Sequence, residues 1–143
     1  MKSLNRAIVV YCAGGMKSPW AAELTEHMKG RGFIFIDPKQ HGSLEEDEYT
    51  RWDLTGVETC DVVLGYMQED NPGGSGLALE FGWGAKGGKH LILLEQGGYA
   101  QKRYFGMVRA VSDRVRPVEP STWLESAANL LLEFKKTHLH PLA

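Results

Sequence analysis

Asp70-Asn71-Pro72-Gly73-Gly74-Ser75-Gly76-Leu77-Ala78-Leu79-Glu80-Phe81-Gly82 is a turn-forming, glycine-rich loop that runs into an apolar helix carrying one carboxylate. Ahead of it lies Val62-Val63-Leu64-Gly65-Tyr66, and behind it His90-Leu91-Ile92-Leu93-Leu94. Short apolar runs of this kind, bounded by turn residues, read as buried parallel strands. The loop therefore joins a strand to the next helix at the carboxyl edge of a parallel sheet, where open α/β sheets bind ligands. Its glycines let a ligand approach the backbone, and the helix N-terminus offers free N–H donors. Glu80 in that apolar helix is either a structural acid or a catalytic one, because acids are rarely buried without a reason.

Outward from this stretch, strand and helix alternate. Ala7 to Cys12 is a β-branched apolar run and reads as the first strand. Ser18-Pro19-Trp20 opens a helix to about Gly30, with Ser18 as N-cap and Pro19 in the first helical position. Phe33 to Ile36 is the second strand, stopped by Asp37-Pro38, and the polar segment Lys39 to Glu48 reads as a loop. Asp47 to Thr59 reads as a helix, Gln101 to Val111 as a short one, Arg114 to Val118 as a fifth strand and Thr122 to Lys136 as an amphipathic terminal helix. The pattern predicts a three-layer, doubly wound, five-stranded parallel sheet with the first strand central. All 143 residues read as one domain.

Composition narrows the function classes. Apolar residues make up 43% and charged residues 24%, ordinary for a soluble globular protein. A net charge of −2 gives no electrostatic case for polymeric nucleic acid or a membrane surface. No apolar run approaches the length of a transmembrane helix, and Met1 to Arg6 has no signal-peptide shape, so a cytoplasmic location is expected. The two cysteines, Cys12 and Cys60, read as buried free thiols. No CxxC, HExxH or histidine cluster has metal-ligand spacing, so neither a metal nor a cofactor is expected.

Such a sheet converges four groups of residues. They are Tyr11 with the loop Cys12-Ala13-Gly14-Gly15-Met16, Asp53, the helix entry from Asn71 through Gly74, Ser75 and Gly76 to Glu80, and the segment Tyr104 to Met107. Each also has a plain structural reading. Tyr11 would be a core-edge tyrosine with its hydroxyl in water, and Asp53 a surface helix acid. The glycines would form a tight connection, and Glu80 would pair with an arginine or cap a backbone donor.

Five segments in order carry a resemblance: Val10-Tyr11-Cys12-Ala13-Gly14, Trp52-Asp53-Leu54-Thr55-Gly56-Val57, Cys60-Asp61-Val62-Val63-Leu64-Gly65, Ser75-Gly76-Leu77-Ala78-Leu79-Glu80-Phe81-Gly82 and Met107-Val108-Arg109-Ala110-Val111-Ser112-Asp113. Together they resemble the nucleoside 2-deoxyribosyltransferase family and its relatives that hydrolyse deoxynucleoside monophosphates. The resemblance implies a flavodoxin-like fold and a homodimer or dimer-based assembly. It implies Glu80 as nucleophile, Tyr11 as the tyrosine that holds it, Asp53 as the acid at the nucleobase and Met107 as a methionine lent by a neighbouring subunit. The expected partners are a nucleoside or nucleotide and a free nucleobase.

The residue types suit that chemistry. Cleavage of an N-glycosidic bond builds oxocarbenium character that a carboxylate can trap as an ester. A second acid protonates the departing base, and Trp52 beside Asp53 offers an apolar wall for it. Two departures from the family open an alternative. Asn71-Pro72-Gly73-Gly74 stands where the transferases often carry an acid, and Phe105 where they carry an asparagine. A glycine loop with Ser75 suits a 5′-phosphate at a helix N-terminus, so a deoxynucleoside 5′-monophosphate N-hydrolase is the alternative enzyme. The run Pro72-Gly73-Gly74-Ser75-Gly76 with its following Glu80 is also similar to the phosphoribohydrolases that release cytokinin bases. A non-catalytic nucleotide-binding module is the alternative of another class.

Overall fold

The computed structural model describes residues 6–41, 45–70, 74–97 and 105–139. Five strands, β1 (Ile8–Gly14), β2 (Phe33–Ile36), β3 (Val62–Met67), β4 (His90–Glu95) and β5 (Arg114–Pro117), form one sheet in the order β2-β1-β3-β4-β5. Every pairing is parallel. The helices are α1 (Trp20–His27), α2 (Glu46–Thr59), α3 (Gly74–Lys86), α4 (Gly106–Val111) and α5 (Trp123–Leu139). This is the flavodoxin-like α/β fold expected from the alternation of elements.

The middle strand is β3, with β1 beside it, and not β1 as the sequence pattern implied. The reason is burial. All six residues of β3 are buried, whereas β2 is mostly part-exposed and β5 reads Arg-Val-Arg-Pro with little buried surface. A strand covered on both faces and flanked on both sides carries a continuous apolar run, and edge strands tolerate charge and proline. The register sets Tyr11 opposite Val63 and Gly14 opposite Tyr66. The chain winds one way from β1 to β2 and the other way from β1 to β3, so a crevice opens at their carboxyl ends.

Alternation of side chains splits the core in two. Val10, Cys12, Leu64, Tyr66, Ile92 and Leu94 face α1 and α5. Tyr11, Ala13, Val63, Met67, Leu91 and Leu93 face α2, α3 and α4. Asp61 ties the amino-terminal edge together: its carboxylate accepts from Arg6 at 2.7 and 2.8 Å and from the Val9 N–H at 2.8 Å.

Several boundaries differ from the sequence reading. Pro19, not Ser18, holds the N-cap position of α1, because the Ser18 hydroxyl donates to Gln68 Oε1 at 2.9 Å instead of capping. The helix stops at His27, three residues before Gly30, which takes a φ of +79° in the turn that follows. The segment expected to be a loop begins with a 3-10 helix (Pro38–His41), nucleated by the Asp37 carboxylate accepting from the Lys39 N–H at 3.0 Å. It ends in a capping box between Glu45 and Glu48 that starts α2. Residues 101–104 of the short helix expected from Gln101 lie outside the described residues, and α4 begins at Gly106.

Candidate active site

Three elements bring the three candidate chemical groups together. On β1, Tyr11 points toward α2 and α3 and is fully buried. A glycine lets α2 pass close over it: a Cβ on Gly56 would lie 2.9 Å from the Tyr11 ring. One turn earlier on the same helical face stands Asp53, and one turn earlier again Tyr49. On α3, Leu77, Phe81 and Gly84 face the sheet, and Glu80 shares their stripe. The ring of Phe81 nests over Gly65 of β3, where a Cβ would meet it at 2.5 Å.

The Tyr11 hydroxyl donates to Glu80 Oε2 at 2.5 Å. This is a short, charge-assisted bond. The Tyr11 hydroxyl is thus turned to Glu80 rather than to water, and Glu80 accepts from a phenol rather than from an arginine. Burial raises the Glu80 carboxyl from its ordinary 4.5 to about 7; the Tyr11 bond pulls it down and the nearby Asp53 charge pushes it up. Burial together with Glu80 and Asp53 pushes the Tyr11 phenol far above its ordinary 10.0, so it stays a donor. Asp53 thus acts on both members of the pair.

Glu80 and Asp53 open into a cleft of about 370 Å³, lined also by Gly14, Met16, Pro38, Tyr49, Gly76 and Leu77. It lies at the carboxyl ends of β1 and β3, where the sheet changes winding direction. Gly74, with φ +54°, and exposed Ser75 form the first turn of α3 beside it, while Asn71 lies outside the described residues. Trp52 does not share this cleft. It lines an adjoining groove with Ile36, Arg51, Thr55 and Gly56, and Tyr49 takes the place on the cleft wall that Trp52 was expected to hold. Tyr49 was recognisable only by its spacing of four from Asp53, which fixes a shared helix face. Met107 is 85% exposed on α4 and does not line the cleft of its own chain.

Among the described residues no cluster of three His, Cys, Asp or Glu side chains could hold a metal ion. Both cysteines are free and buried; burial raises the Cys60 thiol to about 11 and the Cys12 thiol further, so neither is a nucleophile at neutral pH. No helix of the described residues is long and apolar enough to cross a membrane.

Among solved structures, the chain is similar to a 2-deoxyribosyltransferase from Leishmania mexicana, with a TM-score of 0.68 and 16% identity over 92% of this chain and 99% of that one. The chain shares this enzyme's fold. It is similar also to a CMP N-glycosidase of Clostridium botulinum, with a TM-score of 0.65 and 19% identity over 85% of this chain and 98% of that one. No protein-family model and no curated protein sequence matches the chain.

Proposed function

We propose that this protein is an enzyme of N-glycosidic bond chemistry, cleaving 2′-deoxynucleosides through Glu80 and transferring the deoxyribose to another nucleobase. The observation that carries the reading is the 2.5 Å bond from buried Tyr11 to Glu80, which shares with Asp53 a cleft at the sheet's carboxyl edge. Both structural neighbours bear names of N-glycosidic enzymes, which fits this reading.

In the first half-reaction Tyr11 fixes Oε2, and the Glu80 carboxylate attacks C1′ from the face opposite the base. The C1′–N bond breaks, its electron pair goes to the base nitrogen, and a proton relayed from solvent by Asp53 neutralises the departing base. The result is a glycosyl ester on Glu80 and a free base. In the second half-reaction the nitrogen of a new base attacks C1′, Glu80 leaves as carboxylate, and Asp53 takes the proton. Tyr49 and the apolar wall of Met16, Pro38 and Leu77 receive the planar base.

A specific observation favours a second reading, a 2′-deoxynucleoside 5′-monophosphate N-hydrolase. The first turn of α3 presents Gly74 and Gly76 with open space beyond their α-carbons and an exposed Ser75 between them. Backbone N–H groups at such a terminus suit a phosphate. Incubation with a deoxynucleoside or its 5′-monophosphate, with and without a second free base, separates the readings. A new nucleoside is the expected product. Free sugar or sugar phosphate alone makes the protein a hydrolase, and unchanged substrate makes it a binding module.

The site is proposed to be completed by a second copy of the chain. Leu79 and Trp83 on α3 and Met107 and Val111 on α4 are 58%, 43%, 85% and 43% exposed. Helices α3 and α4 pack together on one side of the sheet, so these apolar side chains share a side that a partner would cover. Sedimentation at working concentration is expected to give a dimer or a dimer-based oligomer; a fully active monomer would exclude this assembly.

A further inference from the structure

Helix α2 carries Asp53 and Tyr49, yet of its fourteen residues only Gly56 and Val57 are buried. Both lie near its carboxyl end. Gly56 meets the Tyr11 ring, and Val57 approaches Gly84 of α3, where a Cβ would lie 3.6 Å from it. A glycine contact offers no side chain to interlock, so it brings the helix close without fixing its roll about its own axis. That roll matters for Asp53. A side-chain tip stands about 5 Å from a helix axis, so a roll of about 20° moves it by roughly 2 Å. A misplacement of about 1 Å is enough to cost a large factor in rate.

Helix α4, on the same side of the sheet, is tied to a strand end by Arg109, whose Nη1 donates to buried Glu95 at 3.2 Å. For α2 a polar tie runs to a neighbouring helix instead: Trp83 Nε1 on α3 donates to Glu58 Oε2 at 2.9 Å. The acceptor is a carboxylate, so the bond is charge-assisted. Glu58 directly follows Val57, and Trp83 stands one turn beyond Glu80. The bond therefore joins the two helices that bear the acids of the site. Neither residue lines the cleft; both border a separate pocket of about 290 Å³ with Lys86, Gly87 and Lys89. We infer that the Glu58–Trp83 bond is a positioning clasp that sets the roll of α2 against α3 and so holds Asp53 in place beside Glu80. The inference rests on the reading of Glu80 and Asp53 as nucleophile and proton-transfer acid. Glu58 and Trp83 touch no substrate and act only through the two helices.

The test compares full-length Trp83→Phe, Glu58→Ala and Glu58→Gln with wild type. Trp83→Phe removes the donor and keeps the charge, Glu58→Ala removes charge and acceptor, and Glu58→Gln removes the charge and keeps an acceptor. The first readout needs no turnover: the Glu80 carboxyl is titrated by carbon NMR, its signal assigned by its loss in Glu80→Gln. Burial and the Asp53 charge both raise that carboxyl, to about 7 in wild type. A loosened α2 weakens both, so its midpoint is expected to fall by about 0.5 or more in Trp83→Phe and Glu58→Ala and to stay in place in Glu58→Gln. The second readout is turnover of a deoxynucleoside with a second free base. The first two variants are expected to lose roughly tenfold in kcat, least for bases that leave easily, with no further loss when combined. Glu58→Gln should remain within about threefold of wild type. An unmoved Glu80 midpoint in Trp83→Phe and Glu58→Ala, additive losses in the double variant, or a Glu58→Gln chain as impaired as Glu58→Ala overturns the inference. A midpoint that moves as expected in a chain without turnover, or full turnover in Glu80→Gln, upholds the clasp and overturns instead the functional reading beneath it. Should Trp83→Phe fail to fold, exposed Glu58 carries the same test through its two variants.

Discussion

Two tyrosines on neighbouring strands, Tyr11 and Tyr66, are both fully buried, yet they face opposite sides of the sheet and meet opposite kinds of partner. Tyr66 stacks on Trp123 with ring centroids 4.8 Å apart and meets Trp20 edge-on at 5.4 Å. Its hydroxyl accepts from the neutral Gln96 amide at 2.5 Å, and burial holds its phenol at about 12. Tyr11 instead donates to a carboxylate whose own proton affinity burial has raised to about 7. One side of the sheet satisfies its buried polar atoms with neutral groups and seals them with aromatic rings. The other side lines an open cleft with two acids and sets a buried phenol behind one of them. Unfavourable electrostatics retained on one face alone are a mark of a functional site.

The comparison is broken most severely at Glu80. Glu80→Gln preserves shape and removes the attacking charge, so turnover is expected to fall by at least about 10³-fold in steady-state assays. The same change should stabilise the fold at high pH. Burial raises the native Glu80 value above its ordinary 4.5, so the folded state favours the protonated acid. The Glu80 contribution to stability is therefore fully present below about 4.5 and is lost as pH rises through about 7. At pH 8 the glutamine variant should exceed wild type by roughly 1–3 kcal/mol in denaturant titration, and the gap should close toward pH 4. A variant that is less stable at pH 8 would make Glu80 a structural acid.

Asp53→Asn comes next, with an expected loss of about 10²–10⁴-fold. The loss should be smallest for substrates whose bases leave easily, since those need least protonation. Equal losses across a series of leaving groups would remove Asp53 from the proton-transfer role.

Tyr11→Phe sharpens the contrast between the two faces. The phenol lowers the Glu80 value, so its removal lets that value rise further. The acid limb of kcat/KM, expected near pH 7 in wild type, should move to higher pH, with a loss of roughly 10–100-fold at pH 7. An unmoved limb would show that the group titrating in the profile is not Glu80. Tyr66→Phe is the control on the sealed face. It leaves the Gln96 amide short of a partner, so about 1–2 kcal/mol of stability should be lost while kcat/KM stays within about twofold.

The sequence reading succeeded where burial is continuous. The runs of β1, β3 and β4 are apolar at nearly every position because parallel strands between two helical layers have no polar face. Tyr11 and Glu80 stood out as polar groups in apolar surroundings, Asp53 was singled out by the family resemblance, and the structure brings the three near one another. Features that depend on contacts between distant elements were not legible. Ser18 has the residue type and position of an N-cap, and only the fold shows that Gln68 claims its hydroxyl. Trp52 and Tyr49 are both aromatic neighbours of Asp53, and helix rotation against the sheet chooses Tyr49 for the cleft. Glu95 and Arg109 come from a strand end and a separate short helix, so nothing local marks them as a pair. Strand order follows from relative burial, which a single strand's composition records only weakly.

The most direct measurement is mass spectrometry of the wild-type protein after incubation with a slow 2-fluoro-substituted deoxynucleoside. The fluorine slows breakdown of the glycosyl-enzyme ester more than it prevents its formation, so the intermediate accumulates. The sugar is predicted on the peptide that contains Glu80, and it should leave on addition of a free nucleobase. A sugar trapped on any other residue, or turnover of the analogue with no covalent adduct, would contradict the assignment of Glu80 as the nucleophile.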